Sequence, residues 1–346
     1  MTSREVIEAH REAGRLFEAG GVTSFVREQG EGDPVLCMHG VPASSFLYSK
    51  LLVELAQRGL RGVAFDLPGL GLAQRPVEFD YSWSGLGRFC VGAVDALGLE
   101  RFHLVVHDIG GPVGFELAAA MPERIASLTV LNTLVDVATF KRPWSMEPFA
   151  RRGIGEAYLR TLTKPAFRLL MRPQGIGDPG AVTNEELDAY VDLLREGDGG
   201  RAFLRIMRGF ERTPEKQALY HRVLGDGPYS VQIVWGAEDP ALKLAVHGEQ
   251  ARLAAGLDEV HTVAAKHFLQ EPGAGGRGAH RPAGPQLRGG HARSRSSRLA
   301  TPSRRPSGSV TIAQRRFRSA SRFARSLAAV WGRTVEGPDF HHLLDR

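Results

Sequence analysis

Asp108 is the residue of this sequence best placed to do chemistry. It is the second residue of HDIGG, after the mostly apolar, branched run 102–106 and before the helix formers 113–120, which Met121-Pro122 closes. A buried parallel strand, a glycine-rich sharp turn and a helix are expected there, the context of a nucleophile elbow. Such a turn holds one side chain out of the sheet on strained backbone, and the flanking glycines let strand and helix close up. A carboxylate in that place can attack carbon and form an ester. The plainer reading is a turn with Asp108 as a helix N-cap, a position that suits aspartate. A second stretch invites another kind of chemistry. His39-Gly40-Val41-Pro42 follows the strand-like 35–38, and backbone N–H groups in a loop at the end of a parallel strand can act as anion donors.

The elements around these residues must position them. The 346 residues suffice for one large α/β domain with an inserted subdomain. Strand-like segments at 22–27, 35–38, 62–65 and 125–130 accompany the elbow strand, and helices are expected at about 46–58 and 83–97. Residues 4–18 read as a short surface helix. Asp66, in FDLPGLG, reads as a loop brace, and the PGLG glycines do not match a phosphate-binding loop. Cys37 falls in a strand and Cys90 in a helix, so both read as core packing. No apolar run reaches the length of a membrane helix, and the charged N-terminus lacks the apolar centre of a signal peptide. A cytoplasmic protein is expected, with no cofactor, no metal and no membrane partner.

The net charge of +6 is unevenly spread. Residues 272–346 hold fifteen Arg, no Lys and three acids, a local +12 that leaves 1–271 at −6. The body is mildly acidic, and no nucleic-acid partner is expected for it. The tail is rich in Arg, Gly, Pro and Ser, the composition of a shifted reading frame in a GC-rich gene or of a disordered basic segment. No packed structure is expected from 272 to about 309, and 310–327 could form a basic helix. Besides an active enzyme built on Asp108, two readings therefore stay open: a catalytically damaged, frame-shifted protein, and one whose basic tail gives it a binding role.

Taken together, HGVP, FDLPGLGLAQRP and HDIGG, each following a strand, resemble the α/β-hydrolase fold. Within it the sequence resembles the haloalkane dehalogenase and epoxide hydrolase branch, in which the elbow nucleophile is Asp. The match resumes at 231–240, VQIVWGAEDP, and at 260–271, VHTVAAKHFLQE. The resemblance implies a mostly parallel central sheet with flanking helices and a helical cap. It divides the chain into a first core part at 1–136, a cap at 137–227, a second core part at 228–271 and the tail at 272–346. It implies a triad of Asp108 as nucleophile, Asp239 as acid and His267 as base, in that chain order. It places the oxyanion donors at the backbone N–H groups of Val41 and Ile109. The implied partners are a small apolar organic substrate and water.

The implied leaving group is an epoxide oxygen or a halide. Dehalogenases of this branch usually carry Trp directly after the nucleophile, and many carry Asn after the HG pair; here Ile109 and Val41 stand in those places. Neither side chain can donate a hydrogen bond, which tilts the expectation toward epoxides opened by cap tyrosines. Tyr158 and Tyr220 are the candidate acids, with Trp144 as a candidate N–H donor.

Overall fold

The computed structural model describes residues 1–178 and 180–271. The expectations for 272–346, including the frame-shift reading and the helix at 310–327, lie outside the described residues. Eight strands form one sheet: β1 (Gly14–Ala19), β2 (Val22–Gln29), β3 (Asp33–Met38), β4 (Leu60–Phe65), β5 (Phe102–Asp108), β6 (Ile125–Thr133), β7 (Ser230–Gly236) and β8 (His261–Val263). Their order is β1-β2-β4-β3-β5-β6-β7-β8. Pairings from β4 to β8 are parallel, whereas β2 joins both β1 and β4 antiparallel. The central strand β5 is buried on both faces from Phe102 to His107, as a near-continuous apolar run requires.

Residues 4–18 do not form one helix. α1 (Ser3–Glu12) carries a Thr2–Glu5 capping box and stops at Ala13. Gly14–Ala19 instead alternates inward and outward, burying Phe17 and Ala19 while Leu16 faces water, and so serves as an edge strand. The helix expected at 46–58 opens with a short 3-10 turn, Ser45–Tyr48, which Ser44 caps, and continues as α2 (Ser49–Gln57). α3 (Trp83–Ala96) and α4 (Gly110–Ala120) pack side by side on the sheet, and Cys37 and Cys90 are both buried.

Between β6 and β7 the chain inserts α5 (Ile154–Thr161), α6 (Lys164–Gln174), α7 (Asn184–Arg195), α8 (Arg201–Arg208) and α9 (Pro214–Gly225). After β7 a π turn, Leu244–Gly248, leads into α10 (Glu249–Ala254). α6 and α8 present Phe167, Met171, Phe203 and Met207 toward Asp108 and His267 across a cavity, while α9 packs against α4. No helix among the described residues is long and apolar enough to cross a membrane.

Candidate active site

The turn from β5 into α4 holds Asp108 at φ 53°, in the left-handed region that non-glycine residues rarely enter. Two close approaches allow it. A Cβ on Gly111 would overlap the Thr133 hydroxyl, which itself donates to the Asp108 backbone oxygen. A Cβ on Gly40 would overlap the Asp108 carboxylate. Asp108 thus precedes α4 rather than capping it with its side chain. Its carboxylate lies at a helix N-terminus, where the peptide dipoles favour negative charge.

The two oxygens of that carboxylate have different partners. Oδ1 accepts the Val41 N–H at 2.7 Å, and the Ile109 N–H adds a small effect that lowers the carboxyl pKa. Oδ2 lies 3.5 Å from His267 Nε2. The other His267 nitrogen, Nδ1, is 2.8 Å from Asp239 Oδ2. Asp239 is anchored in turn: Oδ1 accepts the N–H groups of Ala241 and Leu242, and Oδ2 accepts Asn132 Nδ2 at 2.6 Å. Asn132 has φ 22°, is fully buried, and accepts the Gly236 N–H through its own Oδ1. Asn132 escaped the sequence reading, although a lone amide in the apolar run TVLNTL was a visible signal.

Charge in the site follows from these contacts. Burial disfavours ionised Asp108, yet the His267 hydrogen bond and charge outweigh it and hold the carboxyl below its ordinary pKa. Asp239 is held low in the same way, against burial, chiefly by the charge of His267. Burial opposes a charge on His267, but Asp239 and then Asp108 overcome it and raise the imidazole to about 10. His107 is the contrast. Burial first, then the neighbouring His267, push it down to about 3, so it stays neutral with Nε2 2.9 Å from the His267 carbonyl oxygen.

The loop donors are braced from behind. His39 Nε2 accepts the Leu67 N–H at 3.0 Å, which leaves Nδ1 to donate to the Gly40 carbonyl oxygen. Asp66 accepts the N–H groups of Ser45 and Leu72, each at 2.7 Å, and so ties the two loops flanking the site together.

Above Asp108 lies a cavity of about 900 Å³ including its mouth, walled mostly by apolar side chains. Val41, Asp108, Ile109 and His267 line it; Trp144, Tyr158 and Tyr220 do not. The placing of those three corrects the sequence expectation. Trp144 is 76% exposed and lies with Tyr158 along a separate outer groove, because α5 turns Leu159 inward and Tyr158 against Phe149. The Tyr220 hydroxyl donates to Glu116 at 3.0 Å, and its ring packs on Phe115 behind α4. The polar groups that the insert and its leading loop do bring to the cavity are Arg142, Ser145 and Gln174, which no sequence pattern marked.

A strained acid between strand and helix, on a mostly parallel sheet covered by helices, is the architecture of an α/β hydrolase. The chain belongs to the α/β-hydrolase fold family, which it matches over residues 33–274. It is 38% identical over 273 residues to haloalkane dehalogenase 2 of Mycobacterium tuberculosis, covering 74% of this chain and 89% of the relative. Two solved structures share the fold. Epoxide hydrolase VrEH1 from Vigna radiata matches with a TM-score of 0.61 and 22% identity, covering 75% of this chain and 92% of its own. Haloalkane dehalogenase DbeA from Bradyrhizobium elkani matches with the same score, identity and coverage. The chain is an α/β hydrolase with haloalkane dehalogenase relatives.

Proposed function

We propose that this hydrolase works through a covalent ester on Asp108, cleaving a carbon–halogen or epoxide carbon–oxygen bond of a small, largely apolar organic substrate. The observation that carries this reading is the split environment of one carboxylate, with Oδ1 held by the Val41 N–H and Oδ2 turned to His267. Oδ2 attacks the substrate carbon, and the bonding pair of the broken bond leaves with the departing atom. The helical insert 137–227 acts as the cap that keeps bulk water from this step.

The second step follows from the charges. In the resting site His267 is an imidazolium between two carboxylates, which is no base at all. Esterification removes the charge of Asp108, and with it one of the two anions that raise the His267 pKa. His267 then gives up its proton, to the alkoxide of an opened epoxide or to the water that leaves with a halide, and becomes the base that activates water. Water adds to the ester carbonyl, and the resulting oxyanion is held by the Val41 and Ile109 N–H groups, a donor of this kind being worth about 3 to 4 kcal/mol. Collapse returns the Asp108 carboxylate and an alcohol. The name of the mycobacterial relative favours a halogen as the leaving atom.

His267→Ala tests the reading. Attack remains possible in that variant while hydrolysis stalls, so intact-mass spectrometry after mixing with bromoalkanes and epoxides should show a lasting adduct on the peptide that holds Asp108. An adduct on another peptide, with Asp108→Ala fully active, removes the proposal.

A further inference from the structure

We infer that the substrate ends in a carboxylate, and that Arg142 in the cavity wall receives it while Asp108 attacks the other end. This rests on the aspartyl-ester reading above and adds the substrate class to it.

Arg142 is an unusual residue for an apolar cavity. Its side chain is only 6% exposed, and its guanidinium lies 4.5 Å over the Phe210 ring, itself part of the cavity wall. Of its five N–H groups, one on Nη2 donates to the Met207 carbonyl oxygen at 2.7 Å. The N–H on Nε is buried and has no partner. The nearest carboxylate oxygen, Glu147 Oε2, is 3.9 Å from Nη1, beyond hydrogen-bond reach. Glu147 is itself 42% exposed and shared with Arg151. A buried charge is normally paired, and a buried polar hydrogen is normally satisfied. Here neither holds. Burial and then the charge of neighbouring Arg212 both work against the guanidinium, with Glu147 offsetting them only in part.

An anion in the cavity that Arg142 lines would give the guanidinium a closer counter-charge than Glu147. A carboxylate matches the planar fork of a guanidinium, and bonds between ionised partners are the strong ones. Gln174 brings a neutral amide to the same wall. Ser145 is buried and its hydroxyl donates to Gln174 Oε1 at 3.1 Å, which turns the Gln174 amide nitrogen away from Ser145. The rest of the wall is largely apolar, with Leu134, Phe140 and Met207 among its residues. The fitting molecule is therefore an aliphatic acid whose leaving group lies apart from its carboxylate. Arginine does not give up its proton at neutral pH, so Arg142 binds an anion and is not an acid catalyst.

The test compares 4-bromobutanoate with its uncharged methyl ester, using the full chain, its Arg142→Met variant and its Arg142→Lys variant. A charge-assisted bond lost from the bound acid predicts that the acid-to-ester ratio of kcat/KM falls between about 10- and 100-fold in Arg142→Met. The loss should sit in KM for the acid, and Arg142→Lys should recover part of it. A purely structural Arg142 lowers both substrates alike and leaves the ratio unchanged, and that result overturns the inference. Binding of butanoate, measured calorimetrically on the unmutated protein against 1-butanol, needs no chemistry and covers the case in which Arg142→Met fails to fold. Saturable butanoate binding without butanol binding supports the assignment, and equal or absent binding of the two overturns it. The His267→Ala adduct assay runs alongside. No adduct from any substrate, with butanoate still bound, sinks the ester mechanism and leaves the anion site standing.

Discussion

Asn132 and His267 meet on a single atom: both bond Oδ2 of Asp239, at 2.6 and 2.8 Å. Asn132 also ties that carboxylate to the end of β7 through the Gly236 N–H. The amide therefore sets the direction from which Asp239 faces the imidazole. Asn132→Ala is expected to leave a buried acceptor and a buried N–H less satisfied, at a cost of about 1 to 3 kcal/mol. If Asn132 positions the acid, ester hydrolysis should slow more than ester formation. Single-turnover kinetics separate the two, and an equal effect on both steps would mark the residue as packing only.

His267 should titrate differently in the two halves of the cycle. In the free protein its pKa, raised to about 10 by Asp239 and Asp108 against burial, keeps it charged through neutral pH. Removing the Asp108 charge lowers that value, so ester hydrolysis should accelerate as pH rises toward it. NMR titration of His267 in the free protein and in Asp108→Asn, which mimics the uncharged ester, checks this. An unchanged pKa in Asp108→Asn contradicts the proposed switch.

The elbow should tolerate no added methyl group. Gly111→Ala places a Cβ against the Thr133 hydroxyl and is expected to destabilise by about 1 to 3 kcal/mol. Adding Thr133→Ala opens space at the contact. The double variant should therefore melt above the sum of the two single effects, a coupling readable by thermal denaturation.

Acid should unfold the domain well before its carboxylates titrate. Burial lowers His10 and His103 to about 4, and burial with His267 lowers His107 to about 3. Unfolded, each returns to about 6.5. The unfolded chain therefore binds more protons between those values, and stability present above pH 6.5 is lost as pH falls toward 4. His267 has the opposite sign: its contribution is full below pH 6.5 and is lost only as pH rises through about 10. A fall in melting temperature on the order of 10 °C from pH 7 to 4.5 is expected, and a flat curve over that range would show that the buried histidines do not govern the acid limb.

What was legible in the sequence is local. The apolar run before HDIGG, the glycines after it, and a loop of the HGVP kind each announce a strand end or a turn through residues within a few positions, so the sheet and Asp108 at its elbow could be read directly. Asp239 and His267 came only through resemblance, and tertiary structure brings them together because β7 and β8 end side by side beyond β6. The insert was the opposite case. Its helices could be anticipated from helix-forming residues, yet which face each turns inward depends on packing against partners far along the chain. Hence Tyr158 lies on Phe149, Tyr220 is held by Glu116, and Arg142, with no motif around it, stands in the cavity wall. The fold follows from patterns of burial with a short period along the chain. The polar lining of the cavity depends on single side chains brought together by tertiary contacts, and no such period records those.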